Sequence, residues 1–294
     1  MVIECKKVAA EILQSAKDDI DFCGNLICPT GWKPRLAILS VGNDDASAVY
    51  LRNKTKVCES VGIEVIHTYF PENVGREEIK DTIEKYNKDT KVHAIILQLP
   101  LPKSLKPYMR EIVNTIDPKK DVDGLTAENI GYLNCDMPRR EYHPEPCTPE
   151  GIMYLLNSYL NVCCTGLRAV VIGRSDIVGR PMAAMLMRKN ATVTVCHSKT
   201  ENLSEITQTA DILICAAGKP KMITADMVKN GAIVIDVGIN RDENGKLCGD
   251  VDFDNVKNIA KFITTVPGGV GLLTTATLAK NVIGMAIAQD CYEI

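Results

Sequence analysis

The sequence predicts an α/β protein of two domains built on mostly parallel sheets, and three observations carry that expectation. The chain has 294 residues, close to two domains of ~150 residues each. Apolar, β-branched runs alternate with amphipathic stretches from end to end, the pattern of βαβ units. One of those runs, at 168–172, leads directly into a glycine-containing turn and then a helical stretch, as at the nucleotide site of a doubly wound sheet.

Each element follows from local pattern. Val8, Ile12 and Ala16 recur at helical spacing and predict a helix over 2–20. The apolar run 36–41 predicts a buried strand. Asp44 or Asp45 can cap a helix over 46–61, and Gly62 suits the position just past its end. A strand over 63–70, a charged helix over 76–87 and a strand over 92–99 follow, the last stopped by Pro100 and Pro102. The second cycle predicts a helix over 151–159, a strand over 168–172, a helix over 181–189, and strands at 192–196, 212–216, 233–237 and 263–266. A last helix over 275–288 can fold back on the first domain. The polar stretch 138–146 is the expected boundary, giving a first domain of 1–140 joined by 274–294 and a second of 141–273.

Composition excludes several classes. Hydrophobic residues make up 46% and charged residues 24%, an ordinary globular balance. The net charge of -3 and the pI of 5.9 give no basic footprint for nucleic acid, and the pair Lys119–Lys120 reads as solvated surface. The twelve cysteines form no close pair spaced for zinc, and read as reduced thiols acting as small hydrophobes. The first residues lack the apolar core of a secretory signal. No apolar run of the ~18–20 residues needed to span a bilayer is expected, so no membrane partner, no metal and a cytoplasmic location are anticipated.

Several segments carry chemistry. Ser47, Tyr50 and Lys54 are spaced three and four apart and share one helix face. A lysine there is a candidate proton donor or acceptor if its surroundings tune it; the bland reading is a solvated stripe. Gln98 closes an otherwise apolar strand, where ligands of open parallel sheets bind, or merely meets water. Residues 117–124 form an acidic, turn-rich segment. The turn Gly-Arg-Ser-Asp-Ile-Val-Gly at 173–179 departs from the usual GxGxxG, with serine at its centre and one more residue before the last glycine. The strand at 192–196 ends without the carboxylate that receives an NAD ribose, while Arg174, Ser198 and Lys199 could hold a 2′-phosphate. NADP is therefore favoured. A second glycine-rich turn, Pro-Gly-Gly-Val-Gly at 267–271, lets backbone approach a flat ligand or serves as a tight connection.

Together these pieces resemble the methylenetetrahydrofolate dehydrogenase/cyclohydrolase family. The matching segments are Tyr-Leu-Arg-Asn-Lys at 50–54 with Val-Gly-Ile at 61–63, Gln-Leu-Pro-Leu-Pro at 98–102, and Pro-Lys-Lys-Asp-Val-Asp-Gly at 118–124. Further on come Pro-Cys-Thr-Pro-Glu-Gly at 146–151, the turn at 173–181 and the turn at 267–271, all in the family's order. The resemblance implies two α/β domains flanking a cleft, the second a Rossmann-like doubly wound parallel sheet. It implies NADP-dependent oxidation of 5,10-methylenetetrahydrofolate and hydrolysis of the methenyl product to 10-formyltetrahydrofolate. It places the activity in one-carbon metabolism and purine biosynthesis, and suggests a homodimer.

The resemblance also implies roles. Lys54 would be the general acid/base, Gln98 would tune it, Tyr50 would pack on the folate and Asp123 would hold the pterin. Ser47, Leu99, Pro267, Gly268 and Gly269 would line the substrate. Gly173, Arg174, Ser175, Ile177, Val178 and Ser198 would form the NADP site, with Gly218, Gly238 and Ile239 closing around it. One departure is visible: after Gly271 the family usually has Pro-Met-Thr, and this chain has Leu272-Leu273-Thr274. The alternatives are a monofunctional NADP-dependent dehydrogenase, a silent folate- or nucleotide-binding protein, and another Rossmann oxidoreductase acting on hydroxy acids or shikimate-like substrates.

Overall fold

A computed structural model of the chain describes residues 1–27, 32–42, 45–135 and 142–291; the side chains of 24–27, 45–50 and 291 lie outside that description. Its elements run α1 (Cys5–Ile27), β1 (Arg35–Val41), α2 (Asp45–Ser60), β2 (Glu64–Phe70), α3 (Arg76–Lys88), β3 (Ala94–Leu97), α4 (Met109–Val113) and α5 (Ala127–Asn134). They continue with α6 (Cys147–Tyr154), β4 (Arg168–Ile172), α7 (Gly179–Arg188), β5 (Thr192–Cys196), α8 (Leu203–Thr207), β6 (Ile212–Cys215) and β7 (Ile233–Asp236). The last are β8 (Asn240–Arg241), β9 (Leu247–Cys248), α9 (Phe253–Val256), β10 (Phe262–Ile263) and α10 (Val270–Cys291). Contacts divide the chain into a first unit, Glu11–Cys147 with Thr275–Ile294, and a second, Met1–Ala10 with Thr148–Thr274.

The first unit holds a parallel sheet of order β2-β1-β3. Side chains alternate along its strands and both faces are covered, as a parallel sheet requires. Leu36, Ile38, Ala94 and Ile96 pack with Ala16 of α1 and with Leu278, Val282 and Ile283 of α10. Ala37, Leu39, Ile95 and Leu97 pack with Ile79 and Ile83 of α3 and with Ile112 of α4. Gly62 takes φ +89° just past α2, where a side chain would be strained. The caps proposed at Asp44 and Asp45 fall outside the described residues and side chains.

Two expectations are corrected in this unit. Lys120 is not solvated surface: it is 7% exposed. Its ammonium donates to the carbonyls of Tyr86 (3.0 Å), Asn87 (2.9 Å) and Asp89 (2.8 Å), at the carboxyl end of α3. A cation suits the orphan carbonyls and the negative end of the helix dipole. Second, an apolar run of membrane-spanning length does exist. Val270–Asp290 qualifies by length and composition, with mean hydropathy 1.4, but 67% of it is buried inside the protein. A long, largely apolar helix buried to that extent is a core helix. Asn281 pins it, accepting from the Tyr142 hydroxyl (3.1 Å) and donating to the Glu145 carbonyl (3.1 Å).

The second unit holds a parallel sheet of order β10-β7-β6-β4-β5. Counted by strand order in the chain this is 2-1-3-4-5 read from β5, a doubly wound topology whose order reverses between β4 and β6. Val170, Ile172, Leu213, Cys215 and Val234 form its core with Val251 and Ile263. The predicted helix over 2–20 begins only at Cys5, because Val2 pairs with Ile263 and the Ile3 N–H donates to the Ile263 carbonyl (2.8 Å). The small β8–β9 hairpin was not expected, although Asn244-Gly245 at its turn is a hairpin signal, with Gly245 at φ +74°.

Candidate active site

In the first unit, α2 leaves the carboxyl end of β1 and carries Lys54 on its third turn, while Gln98 follows the last residue of neighbouring β3. The Gln98 N–H donates to the Leu39 carbonyl (2.8 Å), so this residue extends the β1–β3 ladder by one bond. Its side-chain amide donates to the Leu99 carbonyl (2.8 Å), which leaves Oε1 to accept from Lys54 Nζ (3.0 Å). Lys54 is 6% exposed. A buried ammonium is costly unless hydrogen-bonded, and a neutral amide oxygen satisfies it without neutralising it. One turn further on, burial pushes the Cys58 thiol up to about 12, against the pull of the Lys54 charge. The side chains of Ser47 and Tyr50 lie outside the described ones.

Asp123 sits half-buried on a turn anchored from both sides. Lys120 ties the turn to α3, and the Ile95 N–H donates to the Lys120 carbonyl (2.7 Å). Asp121 is buried and accepts from the Thr126 N–H (2.7 Å) and the Asn129 amide (3.0 Å). Burial raises the Asp121 pKa against those bonds, with the Asp123 charge adding to the rise. Gly124 at φ +62° must be glycine, since a Cβ would lie 2.6 Å from the Pro144 carbonyl oxygen.

In the second unit, the turn after β4 is packed without room for side chains at its glycines. A Cβ on Gly173 would lie 2.3 Å from the Ala216 carbonyl oxygen, and one on Gly179 2.2 Å from the Gly173 carbonyl oxygen. Backbone thus fills the switch point between β4 and β6, where a dinucleotide approaches a doubly wound sheet. Arg174, Ser175 and Ser198 are exposed beyond the carboxyl ends of β4 and β5. The Ser175 hydroxyl accepts from the N–H groups of Val178 (3.2 Å) and Gly179 (3.4 Å), so the serine that stands where the usual fingerprint has glycine ties the turn to the start of α7. Ile177 and Ile239 are 44% and 66% exposed, apolar faces presented at the same end of the sheet, and Val178 is half-buried.

Gly218, with φ +66°, and its neighbours point their N–H groups at Asp250, and Gly238 packs against the same carboxylate. In the second glycine turn, Gly268 takes φ +88° and a Cβ on Gly269 would meet the Thr265 carbonyl oxygen at 2.0 Å. The Leu272 N–H donates to the Gly269 carbonyl (3.0 Å), a bond that proline at that position could not make.

The structure therefore joins Lys54 to Gln98, with Leu99 as the amide's anchor, and gathers Gly173, Arg174, Ser175, Ile177, Val178 and Ser198 around one switch point. Pro267, Gly268 and Gly269 form a separate turn of the second unit. Sequence reasoning missed four buried charged residues, Lys120, Asp121, Asp236 and Asp250. The available signal was an acid at the end of an apolar strand, as in Ile-Val-Ile-Asp at 233–236.

The sequence profile of the tetrahydrofolate dehydrogenase/cyclohydrolase catalytic domain matches residues 3–123, and that of the NAD(P)-binding domain of the same family matches 146–290. The chain is 48% identical over 284 residues to a bifunctional protein FolD of Vesicomyosocius okutanii, covering 96% of this chain and 97% of the relative. Among solved structures it is similar to the bifunctional FolD of Campylobacter jejuni, with TM-score 0.90, 43% identity and coverage of 97% and 98%. It is also similar to the Trypanosoma brucei methylenetetrahydrofolate dehydrogenase-cyclohydrolase complexed with NADP and inhibitor, with TM-score 0.89, 34% identity and 97% of each chain covered.

Proposed function

Since the chain belongs to the tetrahydrofolate dehydrogenase/cyclohydrolase family, we propose a division of its two reactions among the residues described above. The protein is an enzyme with both activities: it oxidises 5,10-methylenetetrahydrofolate to the methenyl form with NADP, and hydrolyses that product to 10-formyltetrahydrofolate. The observation that carries the assignment of roles is the buried Lys54 ammonium held at 3.0 Å by the Gln98 oxygen.

Lys54 manages protons in hydrolysis. When water adds to the methenyl carbon, Nζ gives or takes the proton that lets the adduct form and the ring open. Gln98 keeps Nζ in one place, because its own amide is locked to the Leu99 carbonyl. Asp123 receives the pterin amino and ring N–H donors in bidentate fashion. Tyr50 packs on the folate, and Ser47 and Leu99 line it.

The second unit's residues fit a dinucleotide, on the glycine cradle at Gly173 and Gly179 and the exposed cation and hydroxyls beyond β4 and β5. Arg174 and Ser198 hold the 2′-phosphate, and Ile177, Val178 and Ile239 give apolar faces to the rings. Gly218 and Gly238 keep the opposite side free of side chains. NADP, when bound, supplies the hydride acceptor. The division of the chain into a folate part, 1–140 with 274–294, and an NADP part, 141–273, follows from the same reading.

A homodimer is supported by β5. This edge strand, Thr-Val-Thr-Val-Cys, carries no charge and is open over most of its length, with Val195 40% exposed. Such an edge calls for a partner strand or a cover. Ten free cysteines among the described residues suit a reducing, cytoplasmic location, and a formyl product suits supply to purine biosynthesis.

The test is to incubate the purified protein with 5,10-methylenetetrahydrofolate and NADP, following NADPH and methenyl absorbance separately, and then with methenyltetrahydrofolate alone. NADPH formation with accelerated methenyl decay is expected. Turnover with NAD but not NADP would overturn the roles given to Arg174 and Ser198. Methenyl decay at the uncatalysed rate would leave a monofunctional dehydrogenase and overturn the role given to Lys54.

A further inference from the structure

Outside the groups used above, the second unit contains a buried pair of carboxylates that, among the described residues, accept from backbone N–H groups and one amide and from no cation. Asp250 is 0% exposed. Its Oδ2 accepts from the N–H groups of Ala217 (2.6 Å) and Gly218 (3.0 Å), and its Oδ1 from the Lys219 N–H (2.8 Å) and the Asn240 amide (2.8 Å). Three successive backbone N–H groups around a left-handed residue form a nest, a shape that ordinarily receives an anion such as phosphate. Here the chain fills it with its own side chain.

Asp236 then fixes Asp250. Its carboxylate accepts from the backbone N–H groups of Asp250 (2.9 Å), Val251 (3.0 Å) and Gly238 (3.1 Å). Two glycines are dictated by this packing. A Cβ on Gly249 would lie 1.8 Å from Asp236 Oδ2, and one on Gly238 2.3 Å from Asp250 Oδ1.

The turn so held, 217–219, leaves the carboxyl end of β6 at the reversal of strand order. Its preceding residue, Ala216, presses its carbonyl on Gly173, the first glycine of the turn after β4. With its N–H groups committed inward, the backbone of the turn has only carbonyl oxygens and Cα hydrogens left to offer a ligand, beside the exposed Lys219 side chain.

We propose that Asp250 is a positioning residue for NADP: its carboxylate holds the turn 217–219 in the shape that receives the dinucleotide. The proposal rests on the reading that NADP lies at this switch point. Asparagine at 250 has one acceptor oxygen for donors arriving at both ends, and its amide N–H groups would face backbone N–H groups.

The experiment titrates full-length wild type, Asp250→Asn, Asn240→Ala and Arg174→Ala with NADP by calorimetry. It also measures hydrolysis of methenyltetrahydrofolate without NADP on each. Asp250→Asn is expected to weaken NADP by about tenfold or more, the scale of a lost hydrogen bond to a charged group, and Asn240→Ala by about threefold, the low end for one net hydrogen bond. Hydrolysis is expected to stay within about twofold of wild type in both, since Lys54 lies in the first unit. NADP affinity unchanged in a folded Asp250→Asn overturns the proposal, as does hydrolysis falling in parallel with affinity. If Asp250→Asn does not fold, unchanged affinity in Asn240→Ala overturns it. An Arg174→Ala protein that binds NADP like wild type overturns the placement of the site and the proposal together. Weakening by Arg174→Ala without weakening by Asp250→Asn or Asn240→Ala overturns the positioning role alone.

Discussion

Replacing Lys120 by methionine isolates the anchor beneath Asp123. The side chain keeps its length and apolar stem, and loses a cation that donates to three carbonyls at 2.8–3.0 Å. Burial lowers the pKa of this ammonium, with Asp117 and Asp89 pulling the other way, so desolvation opposes the bonds to the charge. The net loss is accordingly set at the neutral hydrogen-bond scale of about 1 kcal/mol for each carbonyl, or about 2–3 kcal/mol in all. That corresponds to a fall of about 4–10 °C in the melting temperature of the first unit. The assay is Trp32 fluorescence: Trp32 is the sole tryptophan of the chain, and it donates to Asp290 (2.5 Å) within that unit. The same variant is expected to raise KM for the folate substrate more than it lowers kcat, because the turn bearing Asp123 loses its tie to α3. A melting temperature within about 1 °C of wild type would refute the reasoning.

Three further outcomes follow from the described geometry. His93 is buried, its Nδ1 accepts from the Arg35 N–H (2.9 Å), and burial lowers its pKa against the opposing pull of Asp290. The unfolded chain therefore takes up the proton first, and Trp32-monitored stability should fall as pH drops below about 6.5, with a shallower fall in His93→Gln; a pH-independent midpoint between about 7.5 and 5.5 would contradict this. Gly249→Ala should destabilise the second unit by about 3 kcal/mol or more, because its Cβ would displace the Asp236 carboxylate, and wild-type thermal unfolding by circular dichroism would count against that packing. Cys163 is exposed and the Thr165 hydrogen bonds lower its thiol pKa, whereas burial pushes Cys5 up to about 11 and Cys58 up to about 12. Mass spectrometry after brief alkylation should find Cys163 modified well before those two.

What was legible in the sequence was what local pattern controls. The strands at 168–172 and 192–196 match β4 and β5 residue for residue, because each is a short run dominated by β-branched residues, with the glycine turn at 173 ending the first and His197-Ser198 ending the second. Lys54 was visible through its spacing from Ser47 and Tyr50, but its partner Gln98 stands 44 residues away and no local rule joins them. The run 263–266 reads as a strand, yet β10 stops at Ile263: the Thr264 N–H adds one last bond to the Val234 carbonyl (3.2 Å), and the Thr264 hydroxyl accepts from the Asp236 N–H (2.8 Å). Lys120 beside Lys119 reads as surface because its three acceptors come from residues 86–89, delivered only by the fold. Asp250 was invisible for the same reason: its donors are the backbone of a turn some thirty positions earlier. Buried charges are set by tertiary partners, and composition does not carry that information.

In the proposed division of roles, one lysine serves the hydrolysis while the hydride step draws on the other unit. The most direct test of that division is Lys54→Gln, with NADPH formation from 5,10-methylenetetrahydrofolate and hydrolysis of methenyltetrahydrofolate measured on the same folded preparation. Hydrolysis should fall by about 100-fold or more, the scale of a lost general acid/base, while NADPH formation falls much less and methenyltetrahydrofolate accumulates. Equal loss of both activities, or hydrolysis at the wild-type rate, would contradict the account.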